Sequence, residues 1–221
     1  MRIGILGGTG PAGRGIAARL AALGHTVVIG SRDRERAERT VAELQERWGD
    51  RVQTLEAGTN PQAADADVVV IATVWDAAAP TARYVSDKLA GKVVVAMANG
   101  LEKQGSEFVA VLPDEGSIAE AIQVAAPDAR VVAALQHIPA RALGDLDRKL
   151  DSDVLVAGDD DAARTVVLDL VDEIPGLRAF DAGSLRNARG IEAVAAPLLT
   201  INLRHKGEAT LHIGGAGERR R

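Results

Sequence analysis

The chain has 221 residues, of which 47% are hydrophobic, with no cysteine and a formal net charge of −5. That length suits one dinucleotide-sized domain plus a small second part, and the missing cysteines exclude disulfides, thiolate nucleophiles and cysteine-held zinc or iron–sulfur centres. The acidic balance, with only two Trp, one Tyr and two Phe, argues against a nucleic-acid surface, and no apolar run reaches membrane-spanning length.

Residues 2–7 read as an apolar strand. Gly8, Gly10 and Gly13 follow as G-x-G-x-x-G, and a helical pattern runs from about Ala12 to Leu23, stopped by Gly24. Strand, glycine turn and helix in that order are the context in which the motif means dinucleotide binding. Gly8 is read as the tight turn, Gly10 as the point of backbone approach to a pyrophosphate, and Gly13 as the close helix–strand contact. The candidate phosphate site is therefore the loop Gly8-Thr9-Gly10-Pro11-Ala12-Gly13, where free N–H groups and the helix dipole favour negative charge. The strand beginning so near Met1 leaves no room for a signal peptide, so a cytoplasmic protein is expected.

The next strand, Thr26 to Ile29, ends in Gly30-Ser31-Arg32-Asp33-Arg34-Glu35-Arg36. An NAD site places a carboxylate near the end of this strand to bind the ribose 2′-OH. Here a hydroxyl and a guanidinium, Ser31 and Arg32, stand in its place, with Arg36 one helical turn on, a set that attracts a 2′-phosphate. The reading is NADP. Against it stand two others: that these arginines are solvated charges interleaved with Asp33, Glu35 and Glu38, or that Asp33 is an NAD-type carboxylate placed late.

Further on, a charged amphipathic helix is expected over residues 33–48, a short strand over 52–55, and a short helix at Asn60-Pro61. The continuous apolar run of residues 67–72 predicts a parallel strand buried on both faces. A helix over 76–89, a strand over 92–97, a helix over 117–125 and a strand over 130–135 complete the alternation. In such sheets ligands bind beyond the carboxyl ends of the strands. The glycine loop, Gly30–Arg36, Thr73-Val74-Trp75, Ala98-Asn99-Gly100 and His137-Ile138-Pro139-Ala140 should therefore line one crevice. The last part reads as a strand over 153–158, a helix opened by Asp159-Asp160-Asp161, a strand over 177–181, a long helix to about Lys206 interrupted by Pro197, and a short strand over 210–213. The acidic triplet is read as a helix cap, not a metal site. The arginines of residues 219–221 read as a solvated tail.

The chain resembles the coenzyme F420-dependent NADP oxidoreductases, which pass hydride between a reduced 5-deazaflavin and NADP. The matching pieces are Leu6-Gly7-Gly8-Thr9-Gly10, Gly30-Ser31-Arg32, His137-Ile138-Pro139-Ala140, Gly158-Asp159-Asp160-Asp161, Gly176-Leu177-Arg178 and Asp181-Ala182-Gly183. The resemblance implies that Thr9, Ser31, Arg32 and Arg36 hold NADP, and that the deazaflavin lies near His137–Ala140 and the stretch from Pro197 to Gly207. Val74 stands where the family would place proline, and Ala196 where it would place a hydroxyl residue.

The expected fold is α/β, a doubly wound parallel sheet of Rossmann type. Residues 1–140 form the NADP-binding domain, and residues 141–221 a small C-terminal α/β part that closes the deazaflavin cleft. The expected activity is reversible hydride transfer between reduced F420 and NADP, in a cytoplasmic homodimer that needs no metal and touches neither nucleic acid nor membrane. Such a transfer requires positioning rather than acid–base groups. His137 is read either as a cofactor contact or as a structural histidine, and Trp75 either as a flank for the nicotinamide or as a core plug. Two alternatives stay open. One is an NADPH-dependent reductase of a small imine or keto compound, with Asn99, His137 or Lys103 as proton donor. The other is an NADP-sensing protein without turnover.

Overall fold

The computed structural model describes residues 1–216. The chain begins with β1 (Arg2–Leu6), α1 (Pro11–Ala22), β2 (Thr26–Ser31), α2 (Arg34–Trp48), β3 (Leu55–Thr59), α3 (Asn60–Ala63), β4 (Val68–Ile71), α4 (Trp75–Tyr84), α5 (Ser86–Leu89) and β5 (Val93–Ala96). A hairpin follows, β6 (Leu101–Gln104) and β7 (Glu107–Ala110), and then α6 (Ile118–Ala125), β8 (Arg130–Ala133) and α7 (Ala140–Leu143). The remainder is β9 (Ser152–Gly158), α8 (Asp161–Asp172), β10 (Leu177–Asp181), α9 (Ala188–Ala193) and α10 (Ala195–His205).

Eight strands form one sheet in the order β10-β9-β8-β5-β4-β1-β2-β3. Every pairing in it is parallel except β8 with β9, which meet antiparallel at Val132–Gly158 and Ala133–Ala157. This is the doubly wound Rossmann-type sheet that the alternation predicts, and β9 and β10 of the C-terminal part continue it. The central strands β4 and β5 are apolar at every position because both faces are covered. Ile3, Val68, Val70, Val93 and Val95 point into one core layer, and Leu6, Val69, Ile71, Val94 and Ala96 into the other.

The C-terminal part sits against the glycine helix for a local reason. A Cβ on Gly15 would lie 2.8 Å from Leu143 Cβ and 2.9 Å from the Gly144 nitrogen, so only glycine lets α7 pack this closely on α1. Four residues on, the buried Arg19 donates to the carbonyls of Leu143, Ala142, Asp145 and Arg148 at 3.0, 2.8, 2.5 and 2.9 Å. It satisfies acceptors that the end of α7 leaves free.

Several expectations shift. The third strand lies at Leu55–Thr59, and residues 49–52 form a 3-10 turn instead. The helix expected over 76–89 splits at Val85 into α4 and α5. The C-terminal helix breaks at Val194 and not at Pro197, which sits in the first turn of α10 where proline is tolerated. The last strand does not form. Leu211 accepts from the Asp153 N–H at 2.7 Å, and the segment lies along the start of β9 without a ladder. The hairpin β6–β7 is an addition to the expected elements. It folds onto α10, where the Phe108 N–H donates to Thr200 Oγ1 at 2.8 Å. Asp160 caps α8 and Asp161, its first residue, pairs with Arg164, while Asp159 accepts from the Leu185 N–H outside the helix, so the cap is one residue of the triplet. Among the described residues no helix is long and apolar enough to cross a membrane. The arginine tail at 219–221 lies outside the described residues.

Candidate functional site

Two adjoining cavities open where the carboxyl ends of the strands converge. The larger, of about 890 Å³, lies over the glycine loop and the end of β2. The smaller, of about 360 Å³, lies between the ends of β5 and β8 and the helix α10. Ala12, Ala72, Thr73, Val74 and Ala140 line both, so the two form one groove.

The glycine loop is built by steric necessity. The left-handed turn falls on Gly7, at φ +71°, and not on Gly8 as the motif suggests. Gly8 instead donates to the carbonyls of Ile5 and Gly30 at 3.2 and 3.0 Å, pinning the loop to two strand ends. A Cβ on Gly8 would lie 2.9 Å from the Ile5 oxygen, and one on Gly13 would lie 2.7 Å from Gly8 Cα. Both glycines are therefore packing residues beneath the groove and line neither cavity. Gly10 differs. A Cβ there would meet nothing nearer than 3.6 Å, so no protein neighbour demands glycine, and the bare backbone faces the larger cavity. No side chain caps α1, which leaves its first N–H groups free for an anion. Asn60 supports the loop by accepting from the Gly7 N–H at 3.3 Å.

At the end of β2 the structure separates the charges that the sequence interleaves. Asp33 is spent as the cap of α2, accepting from the N–H groups of Glu35 and Arg36 at 3.0 and 3.3 Å. Arg34 pairs with Glu38 at 2.9 Å, and Arg39 lies near Asp33 and Glu35. Arg32 and Arg36 line the larger cavity, and among the described residues no carboxylate pairs with either guanidinium. Ser31 is buried beside them, its Oγ accepting from the Asp33 N–H at 3.2 Å. With Thr9, Gly10, Pro11 and Ala12 these residues share one wall. Sequence reasoning missed the facing wall, made of Thr59, Asn60 and Pro61 and of Ala77, Pro80, Thr81 and Tyr84 on α4. No motif marks those positions. They are recognisable only once β3 and α4 are placed beside the loop.

The smaller cavity collects Trp75, Asn99, His137, Ile138, Pro139 and Ala140, with Leu198, Leu199 and Asn202 of α10 opposite. Trp75 lines the cavity and packs on the core. Asn99 is oriented by donating to the Gln136 carbonyl at 2.8 Å. Gly207, at the end of α10, lines neither cavity, and Gly100 is held at the hairpin base, where a Cβ would strike the Val111 carbonyl. His137 is 7% exposed, and its Nε2 lies 2.8 Å from the Asp153 carbonyl oxygen. A carbonyl only accepts, so Nε2 carries the proton. Burial pushes the imidazole pKa below its ordinary value, against the smaller favourable effect of that bond. His137 is thus a neutral ring with its other nitrogen free.

α10 is fixed to the α/β body through α9. The buried Glu192 carboxylate accepts from the N–H groups of Ile118 and Ala119 at 2.8 and 3.0 Å, at the start of α6. Among the described residues no group of three or more histidine, aspartate or glutamate side chains is placed to hold a metal ion.

The comparisons with known proteins agree across both halves. Residues 2–100 match the family model described as NADP oxidoreductase, coenzyme F420-dependent. The F420-dependent NADP reductase of Methanocaldococcus jannaschii is 35% identical over 215 residues, covering 95% of this chain and 96% of that protein. The F420-dependent NADP reductase of Methanothermobacter thermautotrophicus is 36% identical over 211 residues, covering 93% and 91%. A crystal structure from Arthrobacter sp. FB24, of a protein proposed to be an F420-dependent NADP-reductase, has a TM-score of 0.80 at 29% identity, covering 95% and 96%. With a groove of the shape and charge described above and relatives matched along nearly their whole length, the chain belongs to the F420-dependent NADP oxidoreductase family.

Proposed function

We propose that this protein transfers hydride reversibly between reduced coenzyme F420 and NADP, the NADP lying in the larger cavity and the deazaflavin in the smaller. The observation that carries this reading is the continuous groove. One end offers an uncapped helix start and two uncommitted guanidinium groups, and the other is a largely apolar slot closed by α10. The residues present fit both groups. The bare backbone at Gly10 admits a pyrophosphate, and Ser31, Arg32 and Arg36 are left free for a 2′-phosphate.

When bound, the coenzymes supply the chemistry, a hydride leaving one ring carbon for the other. The chain's part is to position them. Gly10 and the start of α1 fix the phosphates, and Arg32 and Arg36 fix the far end. Thr73, Val74 and Ala140, common to both cavities, hold the rings at the junction, where transfer needs reacting carbons roughly 3–3.5 Å apart. Trp75, Leu198 and Leu199 exclude water.

A reductase of imines or ketones would need a proton donor in the slot. The Nε2 proton of His137 is committed to Asp153, the Asn99 amide to Gln136, and Lys103 lies on an exposed strand off the cavity. These commitments favour the deazaflavin over a small carbonyl or imine substrate. The proposal further takes residues 1–140 as the NADP-binding unit, residues 141–221 as the part that closes the deazaflavin cleft, and the enzyme as a cytoplasmic homodimer. Ile201 and Leu203 on α10, both exposed, support self-association. The test is direct transfer. NADPH deuterated at the nicotinamide C4 should yield reduced F420 carrying that deuterium, seen by mass spectrometry. Deuterium lost to solvent, or no reduction, would refute the assignment.

A further inference from the structure

Among the described residues four buried side-chain nitrogen or oxygen atoms have no hydrogen-bond partner. Three of them, Thr73 Oγ1, Gln136 Oε1 and His137 Nδ1, belong to residues that line the groove. A buried polar atom without a partner costs about 1–3 kcal/mol, so three at one place call for a reason. The backbone there is also strained. Leu135, a buried non-glycine residue immediately before Gln136, lies in the left-handed region at φ +72°. Such conformations persist where a site is held in place by its surroundings.

The polarity of two of these atoms is fixed by their partners. Gln136 donates its amide to the Ala96 carbonyl at 2.8 Å, leaving Oε1 as a bare acceptor. His137 donates through Nε2 to the Asp153 carbonyl, leaving Nδ1 as a bare acceptor. Asp153 is itself anchored. It is 1% exposed and held by Arg178 in a bidentate pair at 2.6 and 2.7 Å. The ring therefore cannot turn to present a donor without losing its anchor.

We infer that Gln136 and His137 form a paired acceptor edge, held by β5 and by Asp153, that receives an amide-type N–H from a heterocycle bound in the smaller cavity or reaching it from the junction with the larger. This rests on the proposed function. A deazaflavin carries a ring N–H between two carbonyls, and the nicotinamide carries a carboxamide NH₂, so either ring can present the donor. Both residues are positioning residues. His137 accepts a hydrogen bond and does not take up a proton.

The test uses the full chain. Affinities for oxidised F420 alone and for NADP⁺ alone are measured for the wild type, Gln136→Met and His137→Phe. In parallel, ¹⁵N-histidine spectra of the wild type report on Nδ1. Each lost bond should weaken the ligand that supplies the N–H by about three- to tenfold, and on loading that ligand the Nδ1 resonance should move toward that of a hydrogen-bonded nitrogen. Loss confined to F420 assigns the donor to the deazaflavin, and loss confined to NADP⁺ assigns it to the carboxamide. Either supports the acceptor edge. Unchanged affinities with an unmoved Nδ1 signal would overturn it. A wild-type protein that does not bind F420 at all would overturn the functional reading beneath it. Should the variants fold poorly, the wild-type Nδ1 signal decides alone.

Discussion

Replacing Arg32 by alanine tests the coenzyme assignment most sharply, because the structure supplies its own controls. Four arginines crowd the stretch from Arg32 to Arg39, yet only Arg32 and Arg36 line the larger cavity, while Arg34 and Arg39 are engaged with Glu38, Glu35 and Asp33. A charge-assisted hydrogen bond to a phosphate contributes about 1.5–3 kcal/mol. Arg32→Ala should thus weaken NADP⁺ roughly tenfold to 150-fold, and toward the lower figure because the site is open to water. NAD⁺, lacking the phosphate, should be little affected. Arg34→Ala and Arg39→Ala remove only exposed helix-face pairs and should change NADP⁺ affinity by less than about threefold. Calorimetric titration of each variant with both nucleotides at two salt concentrations decides the matter, the wild-type preference for NADP⁺ shrinking as salt rises. Equal binding of NAD⁺ and NADP⁺ by the wild type would refute the reasoning, and so would a loss in Arg34→Ala as large as in Arg32→Ala.

Further outcomes follow from other parts of the groove. Leu199→Trp fills the smaller cavity from α10 without touching the larger. It should abolish F420 turnover while NADP⁺ affinity stays within about 1 kcal/mol of wild type, since Leu199 lines only the smaller cavity and Arg32 and Arg36 lie at the other end of the groove; normal turnover would place the deazaflavin elsewhere. Arg19→Met strands four backbone carbonyls at the joint between α1 and α7. It should cost roughly 3–5 kcal/mol, read as a melting temperature lower by on the order of 10 °C; an unchanged melt would show the clamp to be idle. Burial pushes the Glu192 carboxyl up to about 7, although two backbone N–H bonds favour its charge. Because that folded-state pKa lies above the ordinary carboxyl value, the stability linked to its proton is fully present below about pH 4.5. It is lost as pH rises through 7, about 3 kcal/mol in all. Glu192→Gln should flatten this part of the pH–stability curve while costing about 1–3 kcal/mol at every pH, because its NH₂ cannot accept from one of the two backbone N–H groups; a variant that keeps the wild-type slope contradicts it. His137, whose pKa is lowered, contributes in the opposite sense, stabilising above its ordinary value and less as pH falls, so the variant-minus-wild-type difference is the quantity to compare.

How much of this was legible in the sequence depends on where each signal resides. Strands buried on both faces announce themselves as unbroken apolar runs, as in Val68–Ile71 and Val93–Ala96. The helix starts at Asp33, Ser117 and Asp160 carry their caps in the chain itself. The edge strand β3 was displaced because Glu56-Ala57-Gly58-Thr59 has no apolar run, its pairing being supplied by β2. The hairpin passed for a loop although Gly105-Ser106 is a two-residue turn signal, because its strands are short, charged and exposed and bury little of their own surface. At the site, the phosphate end was readable because one contiguous motif builds it, though the motif misplaces the left-handed turn by one residue. Thr73 is named with the strand end it closes, whereas Asn60 and Gln136 carry no such mark as parts of the site. Their roles arise only when separate strand ends meet, and no spacing in one segment encodes that meeting.

The central claim is the hydride exchange itself. Anaerobic mixing of the purified protein with NADPH and oxidised F420, with no metal and no flavin added, should bleach the deazaflavin absorbance in step with NADPH oxidation, one for one. Reduced F420 with NADP⁺ should run the same reaction backward. NADPH that binds but leaves the deazaflavin absorbance unchanged would contradict the account.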